Sequence, residues 1–155
     1  ATNIIDTSDL SVKDFDEELK HIYSLNQGEK KSISISVVSF GFKYGMPKDA
    51  DMVFDVRFLP NPHYVGHLKD KTGKSKIVQD YVMKWPVASK FYDKLFDFIS
   101  FLIPEYIKEG KSHLSIAIGC TGGQHRSVTT AIKLGEFIEN KEYRVVIKHR
   151  DIDKK

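Results

Sequence analysis

The sequence predicts an α/β fold: a mostly parallel sheet of about four strands with helices on both faces, preceded by a linker helix. Three observations predict it. Four runs, ISISVVSFGF, MVFDVRFL, HLSIAIGC and YRVVIKHRDI, are β-branched and apolar enough for buried strands. Two segments between them, 87–108 and 127–139, repeat apolar residues at three- and four-residue spacing. Finally, the glycine-rich stretch GCTGGQHRS, residues 119–127, joins one such strand directly to one such helix, where parallel sheets place ligand loops.

In chain order, Phe15, Leu19, Ile22 and Leu25 fall near helical spacing, and Ser11 before acidic residues suits a helix start, so 11–25 reads as the lead-in helix. Asn26-Gln27-Gly28 ends it, and Asn26 to Lys31 is the link, which divides the chain into a lead-in segment 1–31 and a main domain 32–155. After the first strand, FGFKYGMPKDAD is punctuated by two glycines and a proline and reads as a loop; Pro60 and Pro62 stop the second strand. The polar, turn-rich NPHYVGHLKDKTGKSK is a long excursion of the sort that carries function, and is a candidate ligand loop. Phe91, Leu95, Phe98, Leu102 and Ile103 mark a core helix, with Pro86 suited to its entrance and Gly110 just beyond its end. HLSIAIGC, the amphipathic SVTTAIKLGEFIE and YRVVIKHRDI complete the order, and no internal repeat is visible.

A length of 155 residues fits one core, and 41% hydrophobic with 29% charged residues excludes a disordered chain. No apolar run approaches the roughly 20 residues that span a bilayer, and ATNIIDTSDL lacks the features of a signal peptide. The absence of an initiator Met suggests a trimmed fragment. A single cysteine supplies neither an internal disulfide nor a thiolate metal cluster, so a cytoplasmic protein without a metal is expected. The net charge of +3 is uneven: residues 1–28 hold two Lys against six Asp/Glu, and the remainder carries 22 basic against 15 acidic side chains. A body of +7 favours anionic partners.

The loop after HLSIAI fits that preference. Gly122 and Gly123 let backbone approach a bound group closely, amides at a helix start favour an anion, and Arg126 offers a planar fork of donors to phosphate oxygens. Cys120, Thr121, His125 and Ser127 complete the set. The Walker spacing and its lysine are missing, so the loop does not indicate ATP hydrolysis. It does satisfy Cys-x5-Arg-Ser, which resembles the signature of cysteine-dependent phosphatases and makes Cys120 an alternative nucleophile. That chemistry also needs an acid for the leaving group, and where Trp-Pro-Asp would supply one this chain has Trp85-Pro86-Val87.

A second constellation is FDVRFLPNPH, residues 54–63. Asp55 and Arg57 lie two apart in an apolar strand, on the same face, as an internal ion pair or a ligand contact. Arg57, Asn61 and His63 would leave the strand's carboxyl end beside the glycine loop.

In this order, SFGFKYGMPKDADMVFDVRFLPNPHY, AIGCTGGQHRSV and KHRDIDKK resemble the C-terminal domain of the RapZ/YvcJ family, over about residues 32 to 155. The resemblance implies a domain similar to a phosphofructokinase subdomain, following a P-loop domain whose Walker residues this chain lacks. ATP or GTP would bind there, so no cofactor is expected in this chain. ATNIIDTSDLSVKDFDEELK resembles the end of that preceding domain and its connecting helix. In the family's best-understood branch the protein is an RNase adapter that forms a homotetramer. Its C-terminal domain binds small RNAs and senses glucosamine-6-phosphate, tuning the synthesis of cell-envelope amino sugars. The resemblance therefore implies a non-enzymatic sensor of an aminosugar phosphate, or of a related anion such as a nucleotide sugar, acting as a homo-oligomer with a regulatory protein partner. By motif match His63, Thr121, Gly122 and Arg126 would line its pocket, with Cys120 at the floor. Asp55 is a candidate partner for the ammonium. Lys148, His149, Arg150, Lys154 and Lys155 resemble the family's RNA-binding tail, here interrupted by two aspartates, and Lys69, Lys71, Lys74 and Lys76 form a further basic cluster.

Overall fold

The computed structural model describes residues 33–154; the expected lead-in helix, the link Asn26 to Lys31 and Lys155 lie outside them. The chain runs β1 (Ser34–Gly41), β2 (Met52–Asp55), α1 (Lys76–Met83), α2 (Pro86–Glu109), β3 (His113–Cys120), α3 (Arg126–Asn140) and β4 (Arg144–His149). The strands form one sheet in the order β2-β3-β1-β4, all parallel. Strands β1 and β3 pair along their whole length, from Ser34 opposite His113 to Gly41 opposite Cys120, and the shorter strands take the edges.

Register decides which side chains meet. Directly paired residues share a face, so Ile35 and Val37 align with Leu114 and Ile116, with Val145 and Ile147, and with Met52. That face holds the core. Val78 and Val82 of α1, Ala88, Tyr92, Leu95, Ile99 and Ile103 of α2, and Ala131, Leu134 and Ile138 of α3 bury their apolar stripes in the same cluster. On the other face Ser34, Ser36 and Val38 are half-buried, and Arg144, Val146 and Lys148 are exposed. The four-stranded parallel α/β class is thus the one the sequence predicts, and the structure adds that the described helices share one core on one face. Alternating serines in SISISV already carry that asymmetry, because a strand buried on both faces has no reason to place hydroxyls at every second position.

Local chemistry sets the helix ends. Pro86 stands at the first position of α2, where its missing N–H costs nothing, and Gly110 closes the helix at φ +97°, its N–H donating to the carbonyls of Ile107 and Tyr106. Strand β2 ends at Asp55, four residues before the expected Leu59: the Val56 amide still donates to Gly119, and the Leu59 amide then turns back onto the Val56 carbonyl. Helix α1 was not among the expected elements. Its eight residues follow directly on a lysine-rich polar stretch, too short a run for periodicity to stand out.

At the carboxyl ends of β1 and β3 two loops touch backbone to backbone. A Cβ added at Gly41 would lie 2.5 Å from the Gly122 carbonyl carbon and 2.8 Å from the Gly123 nitrogen. Gly41→Ala should therefore cost about 1–3 kcal/mol of stability through overpacking. Gly122→Ala, with nothing within 4 Å of the added Cβ, should stay within about 0.5 kcal/mol of the parent. Urea denaturation midpoints of the two variants check the contrast.

Candidate anion-binding site

The ends of β1, β3 and β4 and the long excursion after β2 enclose a cavity of about 530 Å³. Its position is the one a parallel sheet favours for ligands, beyond the carboxyl ends of the strands. The excursion is shaped first at Asn61, whose side chain accepts the His63 amide at 3.0 Å and caps the short turn Pro62–Tyr64. Gly73 then brings the excursion back against the glycine loop. Its amide donates to the Gln124 carbonyl at 2.7 Å, and it packs so closely on the His125 carbonyl and the Thr129 amide that a Cβ would lie 2.6 Å from each.

Of the residues expected in the site, Asn61, His63, Cys120, Thr121, Gly122, His125 and Arg126 line the cavity together. Arg57, Gly123 and Ser127 do not. Arg57 is turned outward: it pairs with Asp55 at 2.6 Å, both about half exposed, and lies over the Phe42 ring at 4.1 Å, so this pair is a surface one and Asp55 is already engaged. Gly123 takes φ +78° and packs behind the loop against Gly41. Ser127 is buried and accepts the Cys120 thiol at 3.2 Å. The wall also contains Lys43, Tyr64, Lys69, Asp70, Lys71, Thr72, Gln124 and the stretch 152–154. Lys69 and Lys71 belong to the excursion that the sequence marks as a candidate ligand loop and to its basic cluster, whereas Lys43 gives no signal in sequence, because only the fold brings the loops after β1 and β3 together.

Two buried polar side chains in this wall are unusual. Arg126 is 5% exposed; its Nη1 donates to the carbonyls of Arg57 at 2.6 Å and Leu59 at 3.2 Å, its Nη2 reaches the Thr121 hydroxyl at 3.4 Å, and its Nε has no partner among the described residues. The guanidinium thus first ties the excursion to the glycine loop. His125 is 6% exposed and its Nε2 is also without a partner. Burial holds its pKa below the usual histidine value, and the charges of His63 and Arg126 push the same way, against the backbone of Lys71 and Lys69. The imidazole is thus favoured in its neutral form, with its Nε2 buried and unpaired among the described residues. Cys120 is 2% exposed with its thiol donating to Ser127, a packed arrangement rather than one open to in-line attack.

The tail residues divide. Lys148 is exposed on β4, while the His149 ring is within 2.7 Å of the Ser39 hydroxyl, its pKa lowered by burial and by Lys74. Arg150 and Lys154 both pair with Asp151, at 2.8 Å each. Asp151 is fully buried and also accepts the Gly41 amide at 2.8 Å. Burial would push its carboxyl up, but Arg150, the Gly41 amide and Lys154 together hold it at about 2.

The sequence profile described as the RapZ C-terminal domain matches residues 33–153. The chain belongs to that family. This RapZ-type domain is 60% identical to a nucleotide-binding protein of Halothermothrix orenii, over 99% of the chain and 54% of that protein. It is 60% identical to a nucleotide-binding protein of Caldicellulosiruptor saccharolyticus, over 97% and 51%, and 53% identical to the nucleotide-binding protein YvcJ of Bacillus subtilis, over 98% and 50%. The chain spans about half the length of the curated relatives it matches. No described helix is long and apolar enough to cross a membrane.

Two outcomes follow for the RapZ-type site. Arg126→Met strands two carbonyls that the guanidinium now satisfies, and should lower stability by about 1–3 kcal/mol in thermal or urea denaturation even without ligand. For Asp151, the folded pKa near 2 lies below the ordinary 3.8, so its contribution is fully present above about pH 4 and is lost as pH falls toward 2. It amounts to about 2 kcal/mol. Asp151→Asn should therefore be less stable than the parent at pH 5, and the gap should close as the pH of the denaturation series approaches 2.

Proposed function

We propose that this domain is a reversible sensor of an aminosugar phosphate, glucosamine-6-phosphate or a related anion such as a nucleotide sugar, and not an enzyme. The observation that carries it is the cavity wall: Lys43, Lys69, Lys71, Lys154 and the buried Arg126 surround a loop of glycine backbone at a helix start. A phosphate dianion suits that surround. Asp70 and Asp153 in the same wall suit an ammonium, a part Asp55 cannot take while it is held by Arg57. Asn61, His63 and Thr121 supply side-chain polar groups for sugar hydroxyls, and Tyr64, 83% exposed, offers a ring face.

In this reading occupancy of the cavity regulates cell-envelope amino-sugar synthesis. The domain acts in the cytoplasm within a homo-oligomer, through small RNA or a protein partner. Lys148, Lys69, Lys71 and Lys74, all exposed, are the side chains that would meet RNA phosphates, with affinity that falls as salt rises.

Titration calorimetry with glucosamine-6-phosphate should show binding that His63→Ala and Lys71→Met each weaken by about tenfold, a loss typical of one charge-assisted contact. Glucosamine without the phosphate should not bind, and a UDP-linked amino sugar tests the larger ligand. Equal binding by parent and variants would defeat the proposal. Turnover of an aryl phosphate that disappears in Cys120→Ser would favour the phosphatase instead. For RNA, a mobility-shift series in rising salt should shift its slope when Lys148 is replaced by Ala; an unchanged slope would exclude that residue from the contact.

A further inference from the structure

We propose that Asp151 is the positioning residue of the anion site: it fastens the chain after β4 to the loops after β1 and β3, making the C-terminal segment a wall of the cavity rather than a free basic end. The proposal rests on the reading of that cavity as an anion site.

The connections are short and come from three strand ends. The Asp151 carboxylate accepts the amide of Gly41, the last residue of β1, at 2.8 Å. It also holds Arg150, which in addition donates to the Gly45 carbonyl at 2.6 Å, and Lys154 at 2.8 Å. Its own Cβ sits where a side chain at Gly123 would begin, 3.0 Å from that point, so it backs directly onto the glycine loop. Gln124 of that loop reaches the other way, its side-chain amide donating to the carbonyls of Lys154 at 2.6 Å and Ile152 at 3.2 Å. Between these two fasteners lie Ile152, Asp153 and Lys154, which line the cavity. Asp151 itself does not touch the cavity. It acts through the residues it holds.

Electrostatics and positioning predict opposite signs. A carboxylate near an anion repels it, so if Asp151 contributed only charge, Asp151→Asn would tighten anion binding. The amide oxygen of Asn can still accept the Gly41 amide, which favours a folded variant, but it gives up the ionic hold on Arg150 and Lys154. With positioning, binding weakens instead.

The experiment compares the parent chain, Asp151→Asn and Gln124→Ala. Dissociation constants for glucosamine-6-phosphate and for inorganic phosphate are measured by calorimetry, and backbone amide exchange at residues 122–124 by NMR or mass spectrometry. The expected result is binding weakened by about tenfold or more in Asp151→Asn and by less in Gln124→Ala, with faster exchange at 122–124 in both. Asp151→Asn binding as tightly as the parent, or more tightly, would overturn the positioning role. If the parent binds neither ligand, the anion reading fails on its own account. The exchange rates then decide for Asp151: faster exchange at 122–124 upholds its hold on the loop, and unchanged rates end it. Should Asp151→Asn not fold, Gln124→Ala carries both measurements, with the same outcomes deciding.

Discussion

Contact of backbone with backbone at the carboxyl ends of β1 and β3 is the constraint on which the rest of the site depends. A Cβ at Gly41 or at Gly123 would lie under 3 Å from backbone of the facing loop, and Gly123 adopts a left-handed conformation that other residues rarely take. This contact keeps the loops after the two central strands from separating. The Lys43 amide then donates to the Thr121 carbonyl at 3.2 Å, and Lys43 joins the cavity wall although it is 77 residues away in sequence from Cys120. A wider turn at either place would move the amides of the glycine loop away from the cations that face them.

Around that contact the charged groups fall into two sets. Arg57, Arg126, Arg150 and Lys154 are engaged: with Asp55, with the carbonyls of Arg57 and Leu59, and with Asp151. Lys43, Lys69 and Lys71 are exposed in the cavity wall, and none of them forms an ion pair among the described residues. Apart from Lys154, which sits beside the buried Asp151, the division has a physical cause. Arginine, weakly hydrated and planar, is well suited to buried carbonyls and carboxylates, whereas lysine keeps its ammonium in water until an anion arrives. The guanidinium that looks most like a phosphate clamp in sequence is therefore first a brace between two loops, and the lysines of the excursion hold the open positive charge.

The aspartates of the tail illustrate the limits of composition. Counted along the chain, Asp151 and Asp153 dilute a basic run. In the fold Asp151 is the most buried acid of the described chain and gathers two cations and a backbone amide, while Asp153 faces the cavity. Conversely, Asp55 and Arg57, conspicuous in an apolar strand, lie at its frayed end in water. Whether a charge in an apolar run is buried depends on where the strand leaves the ladder, and here the chain turns away after Val56, ahead of Pro60 and Pro62.

The sequence by itself determined the parallel α/β class, the bounds of β3 and nearly those of β1, α2 and α3, and the glycine loop as the connection from β3 to α3. These follow from local rules, because side-chain period, proline and glycine act on the residues next to them. Tertiary structure alone decided that the described helices share one face, that the excursion folds back through Gly73, that Arg57 and Ser127 stay out of the cavity, and that Lys43, Gln124 and the C-terminal segment enter it. Each of these depends on which strand neighbours which, and the order β2-β3-β1-β4 brings together residues that no window along the chain contains.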